Sequence, residues 1–144
     1  EDWVSVQHGT VIFKDRPASD TKTVTITAIH NTGGDPIKYK FTLQKWYVYS
    51  GEQMNWNSAT NWCSKQTVNM KLPTVEQISI GRFQYGIGSL WSEWGNTSFY
   101  GWNNHMYWTS KKSGNTVDTV GMVSGFIGTN TDNKQLFFTC ISDL

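Results

Sequence analysis

Residues 21–29, TKTVTITAI, set Val24, Ile26 and Ala28 against Thr23, Thr25 and Thr27. That period-two alternation predicts a strand with one covered face. A Gly-rich turn follows at NTGGDP (31–36), where Pro36 blocks ladder pairing. Alternation resumes over IKYKFTLQKWYV (37–48), with Ile37, Tyr39, Phe41 and Leu43 sharing a face. Together with TVIF (10–13), these segments predict β structure across residues 3–48, including one hairpin. Three or four strands in that length bury too little to form a sandwich alone.

The period then changes. WNSATNWC (56–63) places Trp56, Ala59 and Cys63 on one face of a helix spanning 54–68, with Trp62 and Gln66 beside it and Asn55 or Asn57 as N-cap. After Pro73, Thr74-Val75-Glu76-Gln77 matches a capping box. It predicts a second helix that turns Val75, Ile78 and Phe83 inward and ends at Gly86 and Gly88. LWSEWGNTSFYGWNN (90–104) is aromatic and rich in Gly and Asn, which predicts an irregular packed loop. MYWTS (106–110) reads as a strand, KKSGN (111–115) as a turn and TVGMVSGFIG (119–128) as one strand, with Gly121 or Gly125 as a place for a break. NTDNK (130–134) reads as a hairpin loop and QLFFTCIS (135–142) as a closing strand.

Composition narrows the function classes. Of the 144 residues, 15% are aromatic and only 16% charged, with eight Trp and thirteen Gly. Short strands and long polar loops pinned by buried rings produce that mix. With a net charge of +1 and no basic cluster longer than Lys111-Lys112, nucleic-acid binding has little electrostatic support. No apolar run is long enough to span a bilayer, so no membrane insertion is expected. Glu1-Asp2-Trp3 lacks the basic start and apolar core of a signal peptide, which reads as a mature product or a trimmed fragment.

Cys63 and Cys140 stand 77 positions apart and match neither zinc nor CxxC redox spacing. They form either a long-range disulfide or two free buried thiols, and the Asn/Ser/Thr/Trp-rich composition favours the disulfide and an oxidising compartment. His8, His30 and His105 are scattered and none lies beside a nucleophile signature. Glu76 suits the first turn of a helix, where the macrodipole favours an acid, and Glu93 reads as a solvated loop acid. The chain is therefore read as non-enzymatic, with no cofactor. Of the rings Trp91, Trp94, Phe99, Tyr100, Trp102, Tyr107 and Trp108, most are expected in the core, with one to three exposed between 94 and 104.

WNSATNWC, KLPTVEQ, YWTS and FFTC, in that order, resemble the first helix, the Leu-Pro lead-in to the second helix and the core strands of the C-type-lectin-like fold. With TVIFKDRPASDTKTVTITAIHN (10–31) and the Trp-containing LWSEWG (90–95), the chain resembles the carboxy-terminal superdomain of the intimin/invasin adhesins of Gram-negative bacteria. The resemblance implies an α+β architecture. Residues 1–46 would be an Ig-like β segment, and 47–144 a lectin-like domain of two helices, a mixed antiparallel sheet and a long irregular loop. It implies a Cys63–Cys140 disulfide and a location at the bacterial surface or outside the cell, some relatives being secreted through an intimin-like outer-membrane barrel.

Two departures bear on function. Calcium-dependent sugar binders carry Glu-Pro-Asn or Gln-Pro-Asp in the long loop, whereas the prolines here are Pro17, Pro36 and Pro73 only. Trp102-Asn103-Asn104 resembles their Trp-Asn-Asp but lies too early. The acids after residue 84 are too scattered for the six to eight oxygens that calcium takes, so neither calcium nor another metal is expected. Formylglycine-generating oxidases share a related fold but need a reactive cysteine pair, and both cysteines here match structural positions. What remains is a monomeric protein-binding module whose contact surface lies in 90–118. Trp94, Tyr100, Trp102, Asn103 and Asn104 are its expected binding residues, with a protein receptor or a secretion partner as ligand. Calcium-independent carbohydrate binding by the same rings is the alternative.

Overall fold

The computed structural model describes residues 2–66 and 68–144; Glu1 and Thr67, the latter inside the stretch read as helical, lie outside them. The chain divides into two compact units, one running through Trp46 and taking in Asp143–Leu144, the other Tyr47–Ser142.

In the first unit β1 (Val4–Gln7) and β2 (Thr10–Phe13) form a tight hairpin. His8 and Gly9 both take positive φ at its turn, the geometry whose twist matches paired strands. β3 (Thr23–Ala28) pairs antiparallel with β4 (Ile37–Thr42), from Thr23 opposite Thr42 to Ala28 opposite Ile37. Buried Trp3 stacks on Phe13 at 6.0 Å, and Phe13 meets Phe41 and Trp46 edge-on. Lys45 pairs with the Asp143 carboxylate, and Arg16 donates to the Asp143 carbonyl at 2.6 Å.

The alternating run 37–48 is two strands, not one: Leu43 and Gln44 interrupt it, and β5 (Lys45–Tyr49) follows. Ile37 and Tyr39, read as sharing one face with Phe41 and Leu43, are 63% and 64% exposed. Period two specifies which side chains share a face; it does not supply a layer to cover that face.

In the second unit α1 (Trp56–Ser64) starts at Asn55, whose side chain accepts the Ser58 N–H at 2.9 Å. Ala59 and Cys63 are fully buried, half-buried Trp56 donates its indole N–H to the Thr109 carbonyl, and Trp62 packs edge-on against Phe138. A disulfide joins Cys63 to Cys140 on β9 (Thr139–Asp143), with Cα atoms 5.5 Å apart. α2 (Val75–Ile78) has both halves of its capping box, Thr74 and Gln77 each accepting the other's backbone N–H. It ends at Ile78, well before Gly86. The Ser79 hydroxyl donates to Gly125 O and the Phe83 N–H to Ser124 O, each at 2.7 Å, and these tertiary bonds draw the chain out of the helix. Phe83 is exposed, contrary to the inward expectation.

Two short helical turns occupy the stretch expected to be irregular: α3 (Leu90–Trp94) and a 3-10 turn (Thr97–Tyr100). Trp91 is buried and donates its indole N–H to Met122 O at 3.1 Å. Gly95 and Gly101 end the turns at positive φ. One turn apiece leaves too little 3.6-residue periodicity to read from the sequence.

β6 (Met106–Ser113), β7 (Thr116–Gly121) and β8 (Phe126–Thr131) form an antiparallel sheet in that order. Lys111, Lys112 and Ser113 belong to β6 rather than to a turn, and 119–128 is broken where its glycines allowed, β7 ending at Gly121 and β8 starting after Gly125. β9 starts at Thr139; Leu136 and Phe137 make isolated bridges to Met54 and, in parallel, to Tyr107. In place of one continuous sheet over 47–144, β5 pairs with β9 and β6, β7 and β8 form a second ladder, with a parallel bridge from Tyr107 to Phe137 and three short helices among the described residues. No helix among them is long and apolar enough to cross a membrane. Val75, Ile78, Leu90, Trp91, Tyr107, Val120, Met122 and Phe137 form the core of this unit.

Two tyrosines tie this core to pH. Burial, aided by the Glu93 carboxylate, raises the pKa of Tyr47, whose hydroxyl donates to Gln77 O at 2.6 Å. Burial, then the neighbouring Tyr49, raises that of Tyr107. A folded pKa above the unfolded value of 10.0 means the contribution is intact below pH 10 and lost as pH rises beyond it. Stability should fall by about 1.4 kcal/mol per pH unit for fully buried Tyr107, and by less for half-buried Tyr47. Urea midpoints measured either side of pH 10 test this; equal midpoints contradict it.

Candidate functional site

Trp94 closes α3 at 44% exposure and meets Tyr100, at the end of the 3-10 turn, edge to face at 5.5 Å. Tyr100 is 57% exposed and Phe99 beside it 83%. Between the two turns Asn96 caps the second by accepting the Ser98 N–H at 3.0 Å. Large rings on capped turns hold their positions without much side-chain entropy left to lose on binding.

The other three expected site residues are placed differently. Trp102 is half-buried, stacked on Tyr49 at 4.9 Å and 15° and on Tyr107 at 6.2 Å and 17°. Its ring belongs to the packing that carries β6. Asn103 is exposed, and both its backbone and side-chain N–H groups donate to the Tyr49 hydroxyl. Asn104 lies on the rim of an open depression with Arg82, His105, Met106, Val123 and Phe126. The five residues thus serve three settings: an exposed aromatic pair, an aromatic stack with its polar cap, and the edge of a hollow.

An exposed apolar run is missing from the sequence reading. Ile80, Phe83, Tyr85 and Ile87 are 46%, 58%, 68% and 97% exposed. Phe83 and Tyr85 lie against Trp91 at 6.4 and 5.1 Å. A methyl group placed on Gly95 would sit 3.6 Å from the Tyr85 ring, so this run adjoins the Trp94 turn. The available signal was the spacing of Gly81, Gly86 and Gly88, which suits a looping segment better than a helix.

The acids of this region are engaged singly. Asp118 pairs with Lys111 at 3.2 Å, Asp132 with Lys112 at 3.0 Å, and Glu93 accepts the Gly88 N–H at 2.6 Å. Glu93 is therefore a loop tie rather than simply a solvated acid. Among the described residues no three His, Cys, Asp or Glu side chains converge on a point. The arrangement offers surface recognition by rings and amides.

Comparison with known proteins gives a consistent picture. Residues 1–41 match the family described as Invasin, domain 4. The chain is 32% identical over 151 aligned positions to the inverse autotransporter adhesin YeeJ of Escherichia coli, an alignment covering 99% of this chain and 6% of that protein. It thus spans a small part of this much longer relative. Among solved structures it resembles invasin, a bacterial integrin-binding protein, with a TM-score of 0.79 at 21% identity, covering 99% of this chain and 29% of invasin. It also resembles an intimin from an EHEC strain, with a TM-score of 0.61 at 13% identity, covering 98% and 73% of the two chains. At those identities the structures bear on the fold alone. Family match and adhesin relative point the same way: the chain is similar in sequence to the intimin/invasin group of bacterial surface adhesins, and its fold is that of invasin and intimin.

Proposed function

We propose that this chain is a non-enzymatic extracellular binding module of a Gram-negative intimin/invasin-like adhesin or secreted exoprotein. In this reading residues 1–46 are an Ig-like segment, and 47–144 form a C-type-lectin-like domain that contacts a protein. The carrying observation is the exposed edge-to-face pair Trp94 and Tyr100, set on capped turns beside the apolar run 80–87. Aromatic anchors on a rigid base dominate protein interfaces, and the disulfide supplies such a base by tying α1 to β9. The adhesin relatives support a receptor on a host cell. An intimin-like outer-membrane barrel is the corresponding partner for a secreted parent.

Because invasin is integrin-binding, a purified host integrin ectodomain is the first receptor to test, with host-cell attachment as the broader assay. Trp94→Ala and Tyr100→Ala should each weaken attachment more than about tenfold, with only a small drop in melting temperature from the lost ring pair. Trp102→Ala, which removes a stacked ring, should lower the melting temperature instead. Attachment that survives both exposed-ring substitutions removes the assignment. The very exposed Phe99 ring favours calcium-independent carbohydrate stacking as a second reading. A glycan array with and without chelator tests it, and silence on every glycan rejects it.

A further inference from the structure

The turn joining β7 to β8 and the segment after α2 hold one another. The Ser79 hydroxyl donates to Gly125 O, and the Phe83 N–H donates to Ser124 O. The second bond fixes Phe83 at a φ of 55°, an uncommon conformation for a ring-bearing residue. It also fixes where Arg82 points: the guanidinium lies over the Phe83 ring, 5.1 Å from its centroid. A cation stacked on a ring keeps its planar N–H fork free and pre-oriented.

Beside Arg82 lies the open depression, about 510 Å³ in volume. Its floor is Met106, Gly121 and Phe126, which stand opposite one another across β6, β7 and β8. Two glycines let the Met106 and Phe126 side chains lie close over the sheet. A methyl group on Gly121 would lie 3.2 Å from the Met106 sulphur, and one on Gly128 would lie 2.9 Å from the Phe126 ring. Asn104 and Val123 form the walls with His105, whose ring stacks on Phe137 at 5.3 Å.

Among the described residues the lining contains no acid. Lys45, Lys111 and Lys112 each pair with a carboxylate, but among the described residues none reaches Arg82. The hollow therefore joins a pre-oriented cation to an apolar floor. A guanidinium fork matches a carboxylate through two parallel N–H···O bonds. A thioether and a phenyl ring match an aliphatic or aromatic side chain.

We propose that this depression receives an acidic residue of a partner polypeptide, its carboxylate on Arg82 and a neighbouring apolar side chain on Met106 and Phe126. The assignment rests on the reading of the chain as a protein-binding module and names the chemistry of the partner segment. A sialylated glycan also carries a carboxylate, but its ring hydroxyls need several polar partners. The lining supplies chiefly Asn104 and Ser124 besides the charged and ring groups.

The test uses the whole chain, isotope-labelled for NMR, and two blocked peptides: Leu-Glu-Phe-Gly and its Gln counterpart. The Glu peptide should shift the Arg82 side-chain signal and the amides of Val123, Ser124 and Phe126 saturably. Binding should weaken at least about tenfold with the Gln peptide, and equally with the Arg82→Gln variant. Arg82 is exposed, so the variant keeps its fold, and its unchanged spectrum elsewhere serves as the check. Shifts centred on other residues, equal binding of the two peptides, or indifference to Arg82→Gln would each overturn the proposal. So would N-acetylneuraminic acid binding there more tightly than the peptide. Receptor attachment that depends on Trp94 and Tyr100 while the hollow ignores the peptide rejects this subsite alone. Loss of the receptor reading leaves the peptide titration to be judged on its own shifts.

Discussion

Replacing Cys63 and Cys140 together by alanine should lower the unfolding free energy by about 4 to 5 kcal/mol. The bond closes a loop of 77 residues, so its loss restores a large conformational freedom to the unfolded chain. Between its ends lie α2, α3 and the whole three-stranded sheet, elements of few residues each that depend on tertiary packing for stability. Both cysteines are fully buried, and alanine avoids placing a hydroxyl there without a partner. A loss of that size is a large share of the roughly 5–15 kcal/mol that holds an ordinary domain folded. Urea unfolding of the oxidised protein against the double variant measures it. A difference below about 1 kcal/mol would show that the closed loop contributes little.

Gly125→Ala should be the most costly single glycine substitution, at about 3 kcal/mol. Gly125 has a φ of 72°, where a side chain is strained by roughly 1 kcal/mol or more. Space is the larger difficulty. The added carbon would lie 2.6 Å from the Trp91 ring and 2.9 Å from the Ser79 hydroxyl oxygen. Trp91 is 1% exposed and anchored by its indole N–H on Met122 O, so it cannot give way cheaply. Gly114→Ala is the natural control. It has a similar φ of 59° with nothing within 4 Å of the new carbon, so it isolates the backbone cost. Equal melting temperatures for the two variants would refute the steric argument. Gly125→Ala should also disturb the bonds that place Arg82, linking the stability measurement to the peptide titration.

The features legible from residue types are those decided within three or four positions. Asn55 and the Thr74/Gln77 capping box start their helices where hydrogen-bonding side chains meet orphan N–H groups. The β3–β4 hairpin follows from alternation and a Gly-rich turn. The order of a β-rich segment, two helices and closing strands was visible for the same reason. Buried Trp91, Tyr107 and Trp108 beneath the 90–104 stretch were expected from the need for large anchors under short turns.

The length of α2 depended on distant residues. Its capping signal is strong, yet bonds from Ser79 and Phe83 to a turn more than 40 positions away end it after four residues. Ile37 and Tyr39 alternate as a strand face should, yet among the described residues no layer covers that face and they are exposed. The same divide separates the site residues. Trp94, Tyr100 and Trp102 look equivalent in the chain; Tyr49, from β5, covers Trp102 and leaves the other two presented to solvent. Arg82 carries no signal in the chain because its setting, a depression shared with Ser124, Met106 and Phe126, exists only after folding. Local hydrogen bonding acts along the chain, whereas burial is shared among residues that the chain itself keeps apart.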